Sequence, residues 1–185
     1  MPAPAGWGDT APVTLGDLKK QLNRALDDTS DDDEMTLHLN AAIEAVEGKV
    51  GPLTVQTFTE QHRPPGRWVS LDRRPLVSVT SVTTADGGVL QLADDALDED
   101  AATVQLPVAG GRRPHTIVYQ AGRAKAPAAH KLAVLIIAQH LWNAQHGGGG
   151  RVMPGDEPIM VPGISFAIPM RAAELITDDI ISGIA

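Results

Sequence analysis

The spacing of apolar residues changes twice along this chain, and this change limits the folds available to it. Over residues 14–51 apolar side chains recur every three or four positions, as in amphipathic helices. Over residues 54–121 the period falls to two, in short runs rich in β-branched residues. Over residues 127–146 the helical spacing returns. The pattern predicts an α+β protein, a helical bundle with a small antiparallel β-rich insertion and an extended C-terminal segment.

The first helical stretch predicts an αα-hairpin with an acidic elbow. Thr14, with Asp17 three residues later, has the spacing of a capping box, so the first helix is expected over about residues 14–27. Ser30 is the expected N-cap of the second helix, which ends at Gly51. The apolar stripes are Leu15, Leu18, Leu22 and Leu26 in the first helix and Met35, Leu39, Ala42 or Ile43, Val46 and Val50 in the second.

The middle third predicts one small antiparallel sheet. Its runs are TVQTFTEQ, RWVSL, PLVSVTSVTT, GVLQL, ATVQLP and HTIVYQ, and turn sequences rich in Gly and Pro separate several of them. Alternation slips between Ser81 and Val82, which predicts a β-bulge there.

The third helix is expected to open at Pro127 and to run to about Gln145. Its middle is apolar on nearly every side, so neighbours are expected to bury it on more than one face. The four glycines that follow predict a flexible hinge. The expected organisation is a single domain over 1–185, with a flexible N-terminus (1–13), the helical hairpin, the β-rich part, the core helix, and a hinge with a docking segment (147–185).

Composition excludes several classes of function. The chain has no cysteine, which excludes disulfides, thiolate zinc sites and cysteine nucleophiles. The formal charge is −8, and residues 1–51 carry ten acids against four bases. Such a balance disfavours tight binding to a DNA backbone, which needs clustered Lys and Arg. The start of the chain lacks a signal peptide pattern, and no apolar run approaches the length of a bilayer span, so a soluble, untargeted protein is expected.

Three histidines near the third helix invite a metal-site interpretation, which their spacing disfavours. His130, His140 and His146 include no pair at i, i+3 or i, i+4, the separations that bring two imidazoles to one ion. Solvated histidines, or a capping role, are the better interpretation. His146 in particular lies where the helix dipole favours a cation.

The acidic run DDTSDDDE resembles a calcium loop only in part. A loop that starts at Asp27 would need Gly at position 32 and Glu at position 38, where this chain has Asp32 and His38. A solvated acidic helix N-terminus is therefore expected. The basic pairs at 73–74 and 112–113 are expected to be solvated turn residues.

No motif assembles a nucleophile, a base and an orienting group. The chain has no Gly-x-Ser-x-Gly elbow, no phosphate loop and no HExxH motif. We therefore expect no catalytic residue, no cofactor, no metal and no enzymatic activity. A small hydrolase stays open as an alternative, which loss of a measured activity on mutation of His130 or His140 would support.

Taken in order, several segments resemble the head-to-tail connector (adaptor) proteins of long-tailed double-stranded DNA bacteriophages. They are VTLGDLKKQL, LNAAIEAVEGKVGP, LDRRPLVSVTSVTTADG, TIVYQAGRAKAPAAHKLAVLIIAQHLWNAQ and SFAIPMRAAELI. The most telling pieces are residues 74–79 with the Asp86-Gly87 turn, and residues 118–122 leading through a proline into the long helix. The likeness spans about residues 13–180.

The resemblance implies a structural subunit of the virion neck, made in the cytoplasm of a host bacterium. Such subunits form a homo-oligomeric ring, commonly of twelve copies, beneath the portal protein. The ring forms part of the channel for double-stranded DNA, without sequence-specific binding or membrane contact, and offers a platform to tail-side connector or tail proteins. The alternative is another neck component, such as a stopper or tail-terminator ring protein; the long helices disfavour it because those proteins are mostly β-structure.

The apolar part of the C-terminal segment is the candidate surface for docking on a partner. It follows the glycine hinge and has no neighbouring element in sequence to pack against. We expect it to carry much of the contact with another subunit or with the portal. Its candidate residues are Ile159, Met160, Val161, Ile164, Phe166 and Ile168.

Overall fold

The computed structural model describes residues 11–99, 101–109, 111–146 and 168–177. These residues form two compact units, a helical unit (11–49 and the described residues from 127 onward) and a β unit (50–126). The predicted α+β class is confirmed.

The helical unit contains four helices within the described ranges. They are α1 (Leu15–Gln21), α2 (Asp32–Val50, whose last residue belongs to the β unit), α3 (Ala128–His146) and α4 (Met170–Glu174). Both α1 and α4 pack against α3. The longest helix of the C-terminal half is therefore the central element of this unit.

The predicted capping box of α1 is confirmed. The Asp17 amide donates to the Thr14 hydroxyl at 3.2 Å, and the Thr14 amide donates to the Asp17 carboxylate at 3.0 Å. The Thr14 hydroxyl also donates to the Asp17 carboxylate at 2.7 Å, and this bond, followed by that from the Thr14 amide, lowers the pKa of Asp17 below its usual range. The helix thus begins where the sequence indicates, because two of its first amide groups find side-chain or backbone partners.

The predicted extension of α1 to about residue 27 is wrong. Asn23 adopts a left-handed conformation, with φ of 54°. The Arg24 amide donates to the Lys19 carbonyl at 2.8 Å, and the Asn23 amide donates to the Lys20 carbonyl at 3.1 Å. This pair of bonds is a Schellman motif, which closes the helix. Leu26 consequently lies outside the helix and is 57% exposed.

A buried lysine organises the elbow between α1 and α2. The Lys19 ammonium donates to the carbonyls of Leu26 at 3.2 Å and Asp28 at 2.7 Å. It also forms an ion pair of 2.6 Å with the Asp32 carboxylate. Because Lys19 is 4% exposed, these oxygens replace the water that an ammonium normally binds. Lys19 thus links three oxygen atoms of the elbow to α1.

The N-cap predicted at Ser30 is wrong. The α2 helix begins at Asp32, and the first helical amide bond runs from Met35 to the carbonyl of Asp31 at 2.9 Å. The Ser30 hydroxyl donates instead to the Asp28 carboxylate at 2.8 Å. The local turn therefore competes successfully with helix capping for this hydroxyl.

The predicted core stripe of α2 is confirmed, and so is its end. Gly51 has a φ of 78°, the left-handed conformation that commonly follows a helix. The α3 helix begins one residue after the predicted start, with the Pro127 carbonyl accepting from the Lys131 amide at 3.1 Å. The buried residues of α2 are Met35, Leu39, Ala42, Ile43, Val46 and Val50.

The β unit contains two antiparallel sheets, so the expectation of one sheet is wrong. The first sheet has the order β1-β7-β3-β4 and the second β2-β6-β5. One apolar core includes residues of both sheets, among them Val82, Ile117 and Tyr119 of the first and Val69 and Val104 of the second. The strands are β1 (Gln56–His62), β2 (Trp68–Ser70), β3 (Leu76–Thr84), β4 (Val89–Leu90), β5 (Leu97–Asp98), β6 (Thr103–Gln105) and β7 (His115–Ala121).

The pairing of β3 with β7 is irregular, but not at the position that the sequence predicted. The register shifts once between Leu76 and Ser78 and again between Val79 and Ser81. The step from Ser81 to Val82, where a bulge was expected, is regular. The shifts let Leu76, Val79 and Val82 share the core side of the sheet, whereas Val77 is exposed.

Two connecting segments pass very close to each other in the β unit. Gly122 follows β7 with a φ of 125°, and a Cβ atom at this position would lie 2.0 Å from the Thr54 carbonyl oxygen. The Gly122 amide donates to the Pro75 carbonyl at 2.8 Å. Next to it, the Arg123 guanidinium donates to the Val50 carbonyl at 2.9 Å. Only glycine has both the conformation and the small size that this position needs.

Substitution Gly122→Ala is expected to lower the free energy of unfolding of the β unit by about 3–5 kcal/mol, because strain and overlap with the Thr54 backbone add together. Gly87→Ala is the matched control, since Gly87 has a φ of 82° but no atom within 4 Å of the place that an alanine methyl group would occupy. The control is expected to cost about 1 kcal/mol. Urea denaturation followed by circular dichroism measures both, and equal losses would contradict the steric explanation.

Candidate functional site

The candidate docking segment lies mostly outside the described residues. Ile159, Met160, Val161, Ile164 and Phe166 all fall in the undescribed part, and their role stays a prediction. Ile168 is described and half-buried, and it lies two residues before α4. The helix itself packs on α3, with Ala172 and the following Ile176 buried. The described part of the C-terminal segment thus contacts the chain's own central helix.

The α3 helix is fully buried along one stripe only, so the expectation of burial on several faces is not met within the described chain. Leu132 is 36% exposed, and Leu135 and Ile136 are half-buried. An open groove of about 470 Å³ also runs along this side of the helix, lined by Val13, Asp17, Lys20, Gln21, Lys131 and Leu135. Because its lining mixes acidic, basic and apolar side chains, the groove does not indicate any one class of ligand. The buried stripe of α3 is His130, Ala133, Val134, Ile137, Ala138 and Trp142.

The three histidines of α3 have three different environments. His130 is 1% exposed and belongs to the core, so the prediction of a solvated or capping residue is wrong there. His140 is exposed, as expected. His146 approaches the Trp142 carbonyl with its Nδ1 at 3.3 Å, which agrees with a capping role. Among the described residues, no group of three His, Asp or Glu side chains could hold a metal ion.

An aromatic and ionic cluster in the helical unit was not predicted from the sequence. The Trp142 indole stacks on His146 with ring centroids 3.8 Å apart, and the Arg24 guanidinium lies 5.3 Å from the indole. The Glu34 carboxylate is 3.4 Å from His146 Nε2 and 3.8 Å from His38 Nε2. Spacing along one helix could not reveal a cluster whose members come from α2, α3 and the elbow.

The acidic run of the elbow pairs with cations from the end of α1. Arg24 lies 2.9 Å from Asp31 and 3.4 Å from Asp28, and Lys19 pairs with Asp32. The interpretation as a solvated acidic face is therefore wrong for Asp32, whose carboxylate pairs with the buried Lys19 ammonium. Asp28 is exposed, as expected, and Asp31 is half-buried.

The β unit contains a polar network centred on Glu60. The Tyr119 hydroxyl donates to one oxygen of its carboxylate. The other oxygen lies 2.8 Å from His62 Nε2 and accepts from the Asp72 amide at 3.3 Å. The Arg73 amide in turn donates to the Tyr119 oxygen at 3.2 Å. The network fastens the turn before β3 to β1 and β7.

Burial and the Glu60 carboxylate raise the pKa of Tyr119 above its ordinary value. Burial has the larger effect, since a phenolate would lose its water, and the nearby negative charge adds to it. Tyr119 therefore stays a neutral hydrogen-bond donor at physiological pH. The network has no group placed to act as a nucleophile. Its hydrogen bonds stabilise the turn before β3 against β1 and β7.

The basic pairs lie at turns, as predicted. Arg112 has a φ of 59° and is exposed together with Arg113. The Arg73 guanidinium lies 5.7 Å from the Phe58 ring, a cation–π arrangement. Arg74 is half-buried. None of these contacts indicates a phosphate-binding site.

The side of the first sheet opposite the core has no ionisable side chain, and we name it the outer sheet face. Cross-strand partners in an antiparallel pair share a face, so the register identifies its members. Thr59, for example, pairs with Val118, which pairs with Ser81. The face consists of Thr57, Thr59, Gln61, Ser78, Ser81, Thr83, Val89, Thr116, Val118 and Gln120, each exposed or half-exposed.

Sequence reasoning missed this face, although part of its signal is present in the sequence. HTIVYQ alternates the core residues Ile117 and Tyr119 with Thr, Val and Gln, and TVQTFTEQ has Thr on both sides of Phe58. The alternation predicts two faces for each strand, but the neutral set becomes visible only when β1, β7 and β3 are aligned in register.

No helix in the described ranges has the length and apolar character to span a membrane. No protein-family model matches the chain, and neither does any curated protein at a significant level.

The fold is similar to that of chains in solved gene transfer agent particles. A chain from the neck of an empty particle, computed with C6 symmetry, has 18% identity and a TM-score of 0.63, over 92% of this chain and 90% of that chain. A chain from the neck of a native particle, computed with C12 symmetry, has 18% identity and a TM-score of 0.57, over 82% and 84%. A chain from the virion of the native particle has 20% identity and a TM-score of 0.59, over 92% and 90%. These likenesses establish a shared fold.

Raising the pH above about 10 is expected to destabilise the β unit through Tyr119. In the unfolded chain the phenol ionises near its ordinary pKa of 10.0, whereas in the folded chain it keeps its proton to higher pH. The contribution of the Tyr119 phenol to the free energy of unfolding is therefore complete below pH 10 and is lost progressively above it. Tyr119 is the only tyrosine, so ultraviolet difference absorption follows this one phenol.

The titration midpoint of native protein is expected to lie above that of protein in urea. Tyr119→Phe should remove the signal and lower the free energy of unfolding by about 1–2 kcal/mol through loss of the hydrogen bond. Identical midpoints in native and urea-unfolded protein would show that Tyr119 is solvated.

Proposed function

We propose that this chain is a structural subunit of the neck of a phage-like particle. The observation that carries the proposal is the extent of the fold likeness, which covers 92% of this chain and 90% of a chain from a gene transfer agent neck. The proposal assigns the protein no reaction and no cofactor.

Within the neck, the proposed role is that of the head-to-tail adaptor beneath the portal. Copies of the chain form a closed ring, and a related neck was computed with C12 symmetry, which supports twelve copies. The formal charge of −8 suits a channel that DNA passes through, because a strongly basic wall would retain the DNA backbone. The proposed partners are the portal protein on one side and a tail-side connector or tail protein on the other.

The adaptor role is preferred to that of a stopper or tail-terminator ring. Two helices of 19 residues each, α2 and α3, form much of the described chain. Stopper and terminator rings are built mainly from β-structure, so these two long helices favour an adaptor. The position of the ring along the neck distinguishes the roles, since an adaptor contacts the portal directly.

Deletion of the gene from a producing host is expected to give DNA-filled heads and separate tails, because nothing would join them. Electron microscopy of the lysate measures the ratio of joined to separate structures, and supplying the gene on a plasmid should restore joining.

In wild-type particles, reconstruction of the neck should show a ring of this chain in contact with the portal. A ring separated from the portal by another protein would identify a stopper, and normal tailed particles after deletion would refute the neck role.

The C-terminal docking segment is expected to be needed for joining. Ile164→Asp with Phe166→Asp should reduce the number of tailed particles at least tenfold. In an apolar contact the two new carboxylates would lose their water and find no cation in its place. This pair of changes leaves α4 intact, unlike truncation after Gly150. Met170→Asp is the matched control, since Met170 is 80% exposed on α4. Normal particle yield from the double variant, with equal amounts of folded protein, would rule out the segment as a docking surface.

A further inference from the structure

The outer sheet face lacks the charged residues that a solvent-facing sheet normally carries. About a quarter to a third of the surface positions of a soluble protein are charged, so ten positions would ordinarily hold about three such residues. This face has none, although charged residues make up 21% of the chain. The inner side of the same sheet, by contrast, includes Glu60, His62 and His115.

Most exposed charges of the β unit lie instead in the loops around its strands. Examples are Arg63 after β1, Asp86 in the turn after β3, and Arg113 before β7, all exposed. A centre depleted of charge with a polar, charged surround is the composition of a protein–protein contact. Val118, on the central strand β7, adds an apolar side chain to this centre, and Val89, at 60% exposure, adds another at its β4 edge.

We propose that the outer sheet face is the surface through which one copy of this chain contacts the next copy, an inference that rests on the proposed ring. Each copy carries a formal charge of −8, so copies repel one another at separations below the Debye length of about 8–10 Å. A contact between copies must therefore avoid opposing carboxylates. The outer sheet face provides a neutral surface in an otherwise acidic protein.

The chemistry of the face favours protein over DNA as the occupant. A DNA contact draws its affinity from Lys and Arg placed against phosphates, and the face has neither. Its hydroxyl groups and its Gln61 and Gln120 amides can both donate and accept hydrogen bonds, so the backbone or side chains of a neighbour can satisfy them.

The size of the face fits a contact that forms only during assembly. Four strands about 4.8 Å apart, with side chains every 6.8 Å or so along each strand, give an area of roughly 300 Å². A stable pairwise interface buries about 800 Å² on each partner. The face alone is therefore too small to hold a dimer in dilute solution, but in a ring each copy contacts two neighbours. In a ring of more than two copies the contact is heterologous, so the face meets a different surface of the neighbour.

Site-specific photocrosslinking in assembled particles identifies the occupant. A genetically encoded benzophenone amino acid at Thr59, an exposed position on β1, is expected to yield covalent multimers of this chain after illumination. The same amino acid at Ser70, an exposed position on β2 of the other sheet, is the control and should yield few or none. A crosslink from position 59 to DNA or to another virion protein, or no crosslink, would overturn the inference while a neck ring of this chain would still support the proposed function. Absence of the chain from the particle would overturn both.

Added charge provides a second, independent test. Thr59→Glu with Thr116→Glu is expected to lower the yield of tailed particles at least tenfold, while the thermal unfolding of the purified variant stays close to wild type because both side chains face away from the core. Ser70→Glu adds a charge to the β unit elsewhere and should leave the yield unchanged. Thr59→Ser with Thr116→Ser keeps the face neutral and should also be tolerated. Wild-type yield from the doubly charged variant would contradict the inference.

Discussion

The close approach of two backbone segments at Gly122 determines how the chain enters and leaves its β unit. The segment after α2 leads into β1 at Gln56, and β7 ends opposite it at Ala121. Gly122 then passes the Thr54 carbonyl at a separation that excludes a side chain. Arg123 supplies donors to the Val50 carbonyl, one of those that the end of α2 leaves without a helical partner. Entry and exit are thus fixed at the same end of the longest strand pair.

Much of the secondary structure follows from local sequence, because the signals act over a few residues. The Thr14 capping box and the core stripe of α2 are evident in the sequence, and the structure contains both. The irregularity of β3 lies before Ser81 and not, as predicted, between Ser81 and Val82. The end of α1 was mispredicted because apolar spacing continues through Leu26, whereas the left-handed Asn23 and the buried Lys19 ammonium end the helix earlier. A cation that binds carbonyls seven and nine residues away leaves no periodic signal.

The division into two sheets, and the features that depend on it, could not be predicted for a similar reason. β2 pairs with β6, more than thirty residues later, and short strands such as β5 have no distinct pattern of their own. The outer sheet face and the Glu60 network likewise depend on pairing between distant strands, in their case β1, β7 and β3. The apolar docking segment, by contrast, was predicted from sequence alone, from its composition and its position in the chain, and its role stays a prediction. The neutral face and this segment are complementary proposals, one for contact between copies and one for contact with a partner.

Glu60 has a further consequence for the edge of its sheet. β1 is at the edge of its sheet, and an edge strand of seven regular residues is a template on which a strand from another molecule can add. Glu60 points inward from this edge strand, and its carboxylate needs the hydroxyl, amide and imidazole groups that surround it. An inward-pointing charge on an edge strand makes the addition of a further strand unfavourable. The carboxylate that holds the turn before β3 in place therefore also disfavours growth of the sheet at this edge.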